Sequence, residues 1–189
     1  MFIQTETTPN PNVLKFLPGR EVMGEGTREF RAEEAEASPL AHAIFEVAGV
    51  ERVFFGPDFL TVTRADDDLD WRQLKAPILA AIMEHFTSGA PLLAGTGEAV
   101  SHDDDVYEGD TAQVVAEIKD LLDSRIRPAV AKDGGDILFN RFDAATGVVF
   151  LHMRGACSGC PSSSATLRAG VENMLKHYVP EVTRVEAAL

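Results

Sequence analysis

Apolar and polar positions alternate in short runs from the first residues of the chain. Phe2 and Ile3 open a strand pattern, the turn-forming "TTPNPN" interrupts it and "VLKFLP" resumes it, which predicts a wide hairpin. Ser38-Pro39 then places a capping hydroxyl ahead of a proline at the first helical position, so "LAHAIFEVAG" predicts a short helix closed by Gly49. "VERVFFG" and "FLTVTR" flank Gly56-Pro57-Asp58 with apolar residues in period two, a second hairpin. Asp70 caps a longer helix reaching Phe86, with Leu74, Ile78, Ile82 and Phe86 four apart and Pro77 expected to kink it. The order β-β-α-β-β-α predicts a small domain over residues 1–89.

Periodicity is lost over residues 90–110, "APLLAGTGEAVSHDDDVYEGD", which turn Gly-rich and then acidic. That composition predicts a solvated, self-repelling, flexible linker. Thr111 is expected to cap a new helix with Val114, Val115, Ile118, Leu121, Leu122 and Ile126 on one face, and Pro128 to interrupt it by starting a further turn that ends before Asp133. Asp133-Gly134-Gly135-Asp136 reads as a tight helix-to-strand connection, because paired glycines allow positive φ. "DILFNRF" and "GVVFLHM" predict a hairpin. Leu167, Val171, Met174, Leu175 and Tyr178 then mark a last helix closed by Pro180, and "VTRVEAAL" adds a final short strand. The second domain, 111–189, is thus α-β-β-α(β). The whole chain is expected to be α+β with two small domains, neither an internal copy of the other.

Charge is distributed unevenly along this plan. Of the net −13, residues 1–97 carry 8 basic and 15 acidic side chains, residues 98–110 none and 6, and residues 111–189 carry 9 of each. No Lys/Arg-rich tract exists to release counterions from a phosphate backbone, so no nucleic-acid partner is expected. No run approaches the roughly 20 apolar residues of a membrane span, and "MFIQTE" has no presequence character, so no membrane partner and a cytoplasmic location are expected. A mature mitochondrial form is compatible with the same observation.

The 189 residues contain 2 cysteines, Cys157 and Cys160, in "RGACSGCPSSS". Two cysteines three apart cannot staple a fold of this length, which points to a reducing compartment. The expected hairpin ends near Met153 and the serines cap the next helix, so both sulfurs should lie near a helix N-terminus. Its partial positive charge, with Arg154, would favour thiolate. One reading makes them small buried apolar residues, yet Gly155, Gly159 and three serines promise little apolar cover. A thiol-disulfide oxidoreductase has a similar strand, Cys-x-x-Cys, helix layout. Only 29 residues follow Cys160, too few for the strands and helix such a fold still needs.

Metal binding is the third reading, and ligand number shapes it. A tetrahedral zinc or a cubane cluster takes about four protein ligands, and one chain offers two thiols. His42 and His85 fall in apolar helical stretches, His102 in the linker, His152 in a strand and His177 far along the last helix, none at ligand spacing from Cys157. The economical solution is two chains meeting at their motifs about a two-fold axis. A zinc-bridged structural dimer and a bridged iron-sulfur cluster both satisfy the count. A site rebuilt from two halves suits cargo that leaves.

"RPAVAKDGGDI", followed by "GACSGCPSSSATLRAGVENMLKHYVPEV", resembles the C-terminal domain of NifU-type proteins, the Nfu iron-sulfur cluster carriers. "MFIQTETTPNPNVLKFLPG", "SPLAHAIFEVAGVERVFFGPDFLTVTR" and "DWRQLKAPILAAIMEHF" are similar to their N-terminal domain. The resemblance implies a scaffold or carrier rather than an enzyme. It implies a homodimer holding a [4Fe-4S] cluster between subunits through Cys157 and Cys160, with [2Fe-2S] or zinc as alternative cargo. Apo iron-sulfur acceptor proteins and upstream assembly proteins are the implied partners. Elsewhere, Asp133 and Asp136 are expected to cap element ends, Asp66 to Asp70 to form a solvated loop with an N-cap, and Trp71 to lie in the core.

Overall fold

Five short strands build the first sheet. The computed structural model describes residues 2–94, 106–159 and 161–188, without the side chains of 161–163. The chain divides into two units, Met1–Ala99 and Val100–Leu189, each with its own core.

In the first unit β1 (Gln4–Thr7) and β2 (Val13–Leu17) form the expected hairpin, and β4 (Val50–Phe55) with β5 (Leu60–Arg64) form the second. The sheet order is β1-β2-β5-β4-β3, antiparallel throughout. Strand β3 (Arg28–Arg31) was not expected, because Phe30 is its one buried residue among three charged ones and no alternation announces it. A 3-10 turn, Ala32–Ala37, leads from it into α1 (Pro39–Phe45). Ser38 caps α1, its Oγ accepting from Ala41 N at 3.2 Å. Asp70 likewise caps α2 (Trp71–Ser88), which runs through Pro77 as one helix. Leu40, Ile44, Leu74, Ile78 and Ile82 from the helices join Phe16, Phe30, Val53, Phe55, Leu60 and Val62 from the sheet in one buried cluster. Trp71 is half-buried at its edge, with Nε1 donating to Pro11 O at 3.1 Å.

The second unit opens with α3 (Gly109–Leu121), two residues earlier than Thr111. The helical path continues through a single π turn, Leu122–Ile126, into α4 (Arg127–Lys132). Arg127 N donates to Leu122 O, five residues back, and Pro128, which has no N–H, follows at once. Strands β6 (Gly135–Asp143) and β7 (Val148–Gly155) form an antiparallel hairpin with an irregularity between Phe139 and Arg141. The last helix α5 (Pro161–Tyr178) carries the chain back so that β8 (Arg184–Ala187) pairs parallel with β7, in the order β6-β7-β8. Val115, Ile118, Leu121, Leu122 and Ile126 face the core as their spacing required, with Ile137, Val149, Leu151, Val171, Leu175, Val182 and Val185. Tyr178 is 42% exposed instead.

Both ends of the expected linker are docked. Ala94 N donates to Ala37 O and Ser38 Oγ to Leu92 O in the first unit; Tyr107 Oη accepts from Phe142 N in the second. Residues 95–105, including the Asp103 to Asp105 run and His102, lie outside the described residues. No helix among the described residues is long and apolar enough to cross a membrane.

Candidate functional site

The segment between β7 and α5 carries the motif. Gly155 ends β7 with φ +61° and Gly159 has φ +86°, both in the left-handed region that glycine enters without a Cβ penalty. Between them the backbone folds tightly. Cys157 N donates to Arg154 O at 3.3 Å, and Ser158 donates to Gly155 O from both N, 3.1 Å, and Oγ, 2.9 Å. Ala156 N donates to Gly134 O, just ahead of β6, at 3.1 Å, and Gly155 is paired with Gly135 in the sheet.

Cys157 is a free thiol and 5% exposed. Its sulfur belongs to the same apolar cluster as Val130, Ile137, Leu151 and Val171, contrary to the open, polar surroundings expected from the glycines and serines. Gly135 makes this burial possible, since a Cβ there would overlap Cys157 Sγ and approach Arg154 O to 2.8 Å and Cys157 N to 2.9 Å. The expectation of a ready thiolate is overturned as well. Burial, then the negative charges of Asp133 and Asp136, push the Cys157 thiol up to about 12, because nothing close enough compensates a buried sulfur anion. Cys160, the other expected ligand, lies outside the described residues.

The floor under Gly135 is fixed by charge. Asp136 is buried, and the two atoms Oδ1 and Oδ2 accept from Arg127 Nε at 2.8 Å and Nη2 at 3.0 Å. Oδ1 also accepts from Ile137 N at 2.9 Å, and Arg127 Nη1 reaches Asp123 Oδ1 at 2.8 Å. The Asp136 carboxylate holds the Arg127 guanidinium's pKa above its usual range. The π turn sets this geometry by shifting Arg127 one place round the helix axis relative to an uninterrupted α-helix. Asp136 therefore anchors the strand start, in addition to the capping role read from the sequence. Arg127 and the π turn were not singled out there, since an arginine one residue before a proline carries no signal until the partner nine positions on is placed beside it.

The described histidines have their own surroundings. His42 and His177 are exposed, His85 is buried in the first unit, and His152 Nε2 lies 2.9 Å from Asn140 Nδ2 on the sheet. Among the described residues no three His, Cys, Asp or Glu side chains gather as a metal set.

A family model for the scaffold protein Nfu/NifU N-terminal region matches residues 3–89, and a NifU-like domain model matches residues 118–186. The chain belongs to the Nfu/NifU family. It is 52% identical over 187 residues to NifU-like protein 5, mitochondrial, of Arabidopsis thaliana, covering 98% of this chain and 67% of that one. It is 49% identical over 193 residues to the human "NFU1 iron-sulfur cluster scaffold homolog, mitochondrial", covering 100% of this chain and 72% of the relative. A solution structure of a NifU-like protein from Saccharomyces cerevisiae aligns with TM-score 0.45 and 29% identity over 50% of this chain and 85% of that one. The chain thus spans roughly two thirds of the length of curated relatives it matches. The α+β, two-unit architecture and the family resemblance read from the sequence both stand.

Proposed function

We propose that this protein is an iron-sulfur cluster scaffold that binds a [4Fe-4S] cluster between two copies of the chain and passes it to apo iron-sulfur proteins. The observation that carries the reading is the pairing of a matched NifU-like domain with a two-thiol ligand set. Two thiols, Cys157 and Cys160, with no other converging metal ligands among the described residues, make half of a four-thiolate site. A relative named as an iron-sulfur cluster scaffold supports the cargo.

In loading, each thiol gives its proton to solvent and the thiolate displaces one ligand from a cluster iron. No electron changes hands. Release is the reverse exchange, with acceptor thiolates replacing Cys157 and Cys160 one at a time. The protein acts as a carrier rather than a catalyst. The disulfide oxidoreductase alternative fits poorly, because such an enzyme attacks with a low-pKa thiolate and Cys157 is shifted the other way. The cytoplasmic location expected from the sequence finds no support in relatives named as mitochondrial, and the proposal places the carrier in a mitochondrial or related compartment.

Anaerobic reconstitution of the full chain tests the proposal. About four irons and four sulfides per two chains are expected, with loss of the cluster in Cys157→Ala and in Cys160→Ala. One tightly held zinc per two chains, or no metal at all on a stable monomer, would overturn it.

A further inference from the structure

We propose that Cys157 rests in a closed seat on the Gly134-Gly135 ledge when no cluster is bound, and that loading requires the Gly155 to Gly159 loop to swing off that ledge. The inference rests on Cys157 being a ligand, and adds how that ligand is kept and released.

The described conformation is not one a cluster can use. Cys157, 5% exposed and part of the same buried apolar cluster as Val130, Ile137 and Val171, offers no open approach to an iron, still less to an iron shared with a second chain. Yet the loop can turn at both of its ends. Ser158 N and Oγ both bond Gly155 O within the loop, while Cys157 N bonds Arg154 O on β7 and Ala156 N bonds Gly134 O on the ledge. The loop has glycine at both ends, with φ +61° and +86°, where backbone reorientation meets no Cβ.

The ledge itself is held still. Asp136 follows Gly135 directly and is gripped by Arg127, which in turn is tied to Asp123. The loop and the ledge meet where Gly155 pairs with Gly135 across β6 and β7, and the ledge side of that pair is the one fixed by Arg127. When the loop leaves, Cys157 Sγ enters water, its proton passes to water or a buffer base, and the thiolate takes a cluster ligand position. When the cluster departs, the sulfur regains a proton and returns to the seat, which favours release over rebinding.

Site-resolved alkylation of the reduced full chain tests this. With iodoacetamide at one pH, Cys157 in the native apo protein should react at least about a hundredfold more slowly than in the denatured chain. Gly135→Ala, whose methyl fills the seat without needing a positive φ, should remove most of that protection while the far-ultraviolet circular dichroism is kept. A mercaptoethanol-ligated [4Fe-4S] cluster supplied in rising excess should load wild type at a rate that reaches a ceiling, and Gly135→Ala should lift the ceiling. Native Cys157 reacting within a few fold of the denatured chain would overturn the seat, whatever the variant does. If Gly135→Ala does not fold, the wild-type ratio and ceiling decide alone. Protection without iron uptake would sink the carrier reading and keep the seat; uptake with a freely reactive Cys157 would do the opposite.

Discussion

Asp136 makes three hydrogen bonds with two oxygens while buried, two of them to one guanidinium. Such a pair is costly to break from one side, because the remaining charge keeps its burial and loses its partner. Asp136→Asn should therefore destabilise the second unit by about 3 kcal/mol, read from urea unfolding, with a smaller loss in Arg127→Lys. Cys157 gives a second expectation at this scale. Its thiol is raised from 9.0 to about 12 in the fold, so the neutral form is the one folding favours. That contribution is complete below the unfolded value and is lost as pH climbs towards the folded one. The apo chain should lose stability between about pH 9 and pH 12 relative to Cys157→Ala, measured as the difference in thermal midpoint. A constant difference across that window would contradict the burial of the thiol.

Among the elements, the three-stranded sheet is notable for how its edges are closed. Tyr107 Oη accepts from Phe142 N on β6, Asp136 Oδ1 from Ile137 N on the same strand, and Glu172 Oε2 from Val185 N on β8 at 3.1 Å. Edge amides satisfied by side chains are poor templates for a further strand, so chains of this protein should not meet by adding strand to strand. Glu172 also pairs with Lys176 at 2.6 Å, and that bond leads in holding its pKa below the usual carboxylate range. Its support is present above the unfolded pKa and fades as pH falls through the folded one. Glu172→Ala should speed hydrogen exchange at the Val185 amide at neutral pH and raise self-association of the apo chain at high concentration. Unchanged exchange at Val185 would show that the cap contributes nothing.

At the scale of the whole molecule the two units differ in charge as well as in core. The first carries most of the acidic excess of the folded parts, while residues 111–189 are neutral and hold both thiols. Each unit has its own apolar cluster, which is the physical condition for folding alone. A chain of residues 100–189 should accordingly unfold cooperatively and take up as much iron per chain as the full protein. Iron uptake that fails in a folded fragment would assign part of the site to residues 1–99.

Much of this plan was legible in advance, for reasons that can be located. Ser38-Pro39 and Asp70 marked helix starts because a side-chain oxygen one residue before a helix satisfies an amide nothing else can reach. The face from Val115 to Ile126 was legible because burial repeats with the helix period. Strand β3 was not, because a strand with one inward residue leaves no period to detect. The further turn begun at Pro128 was legible and is α4, whereas the π turn that joins it to α3 was not, since nothing in the local pattern marks it.

The sequence by itself determined the periodic elements, the two-unit division and the supply of just two thiols, since these depend on local pattern and on counting. Tertiary structure decided the state of Cys157. Its protonation and access are set by burial against Gly135 and by the charges of Asp133 and Asp136, residues distant along the chain, and the energy of a buried sulfur depends on everything packed around it rather than on its neighbours in sequence.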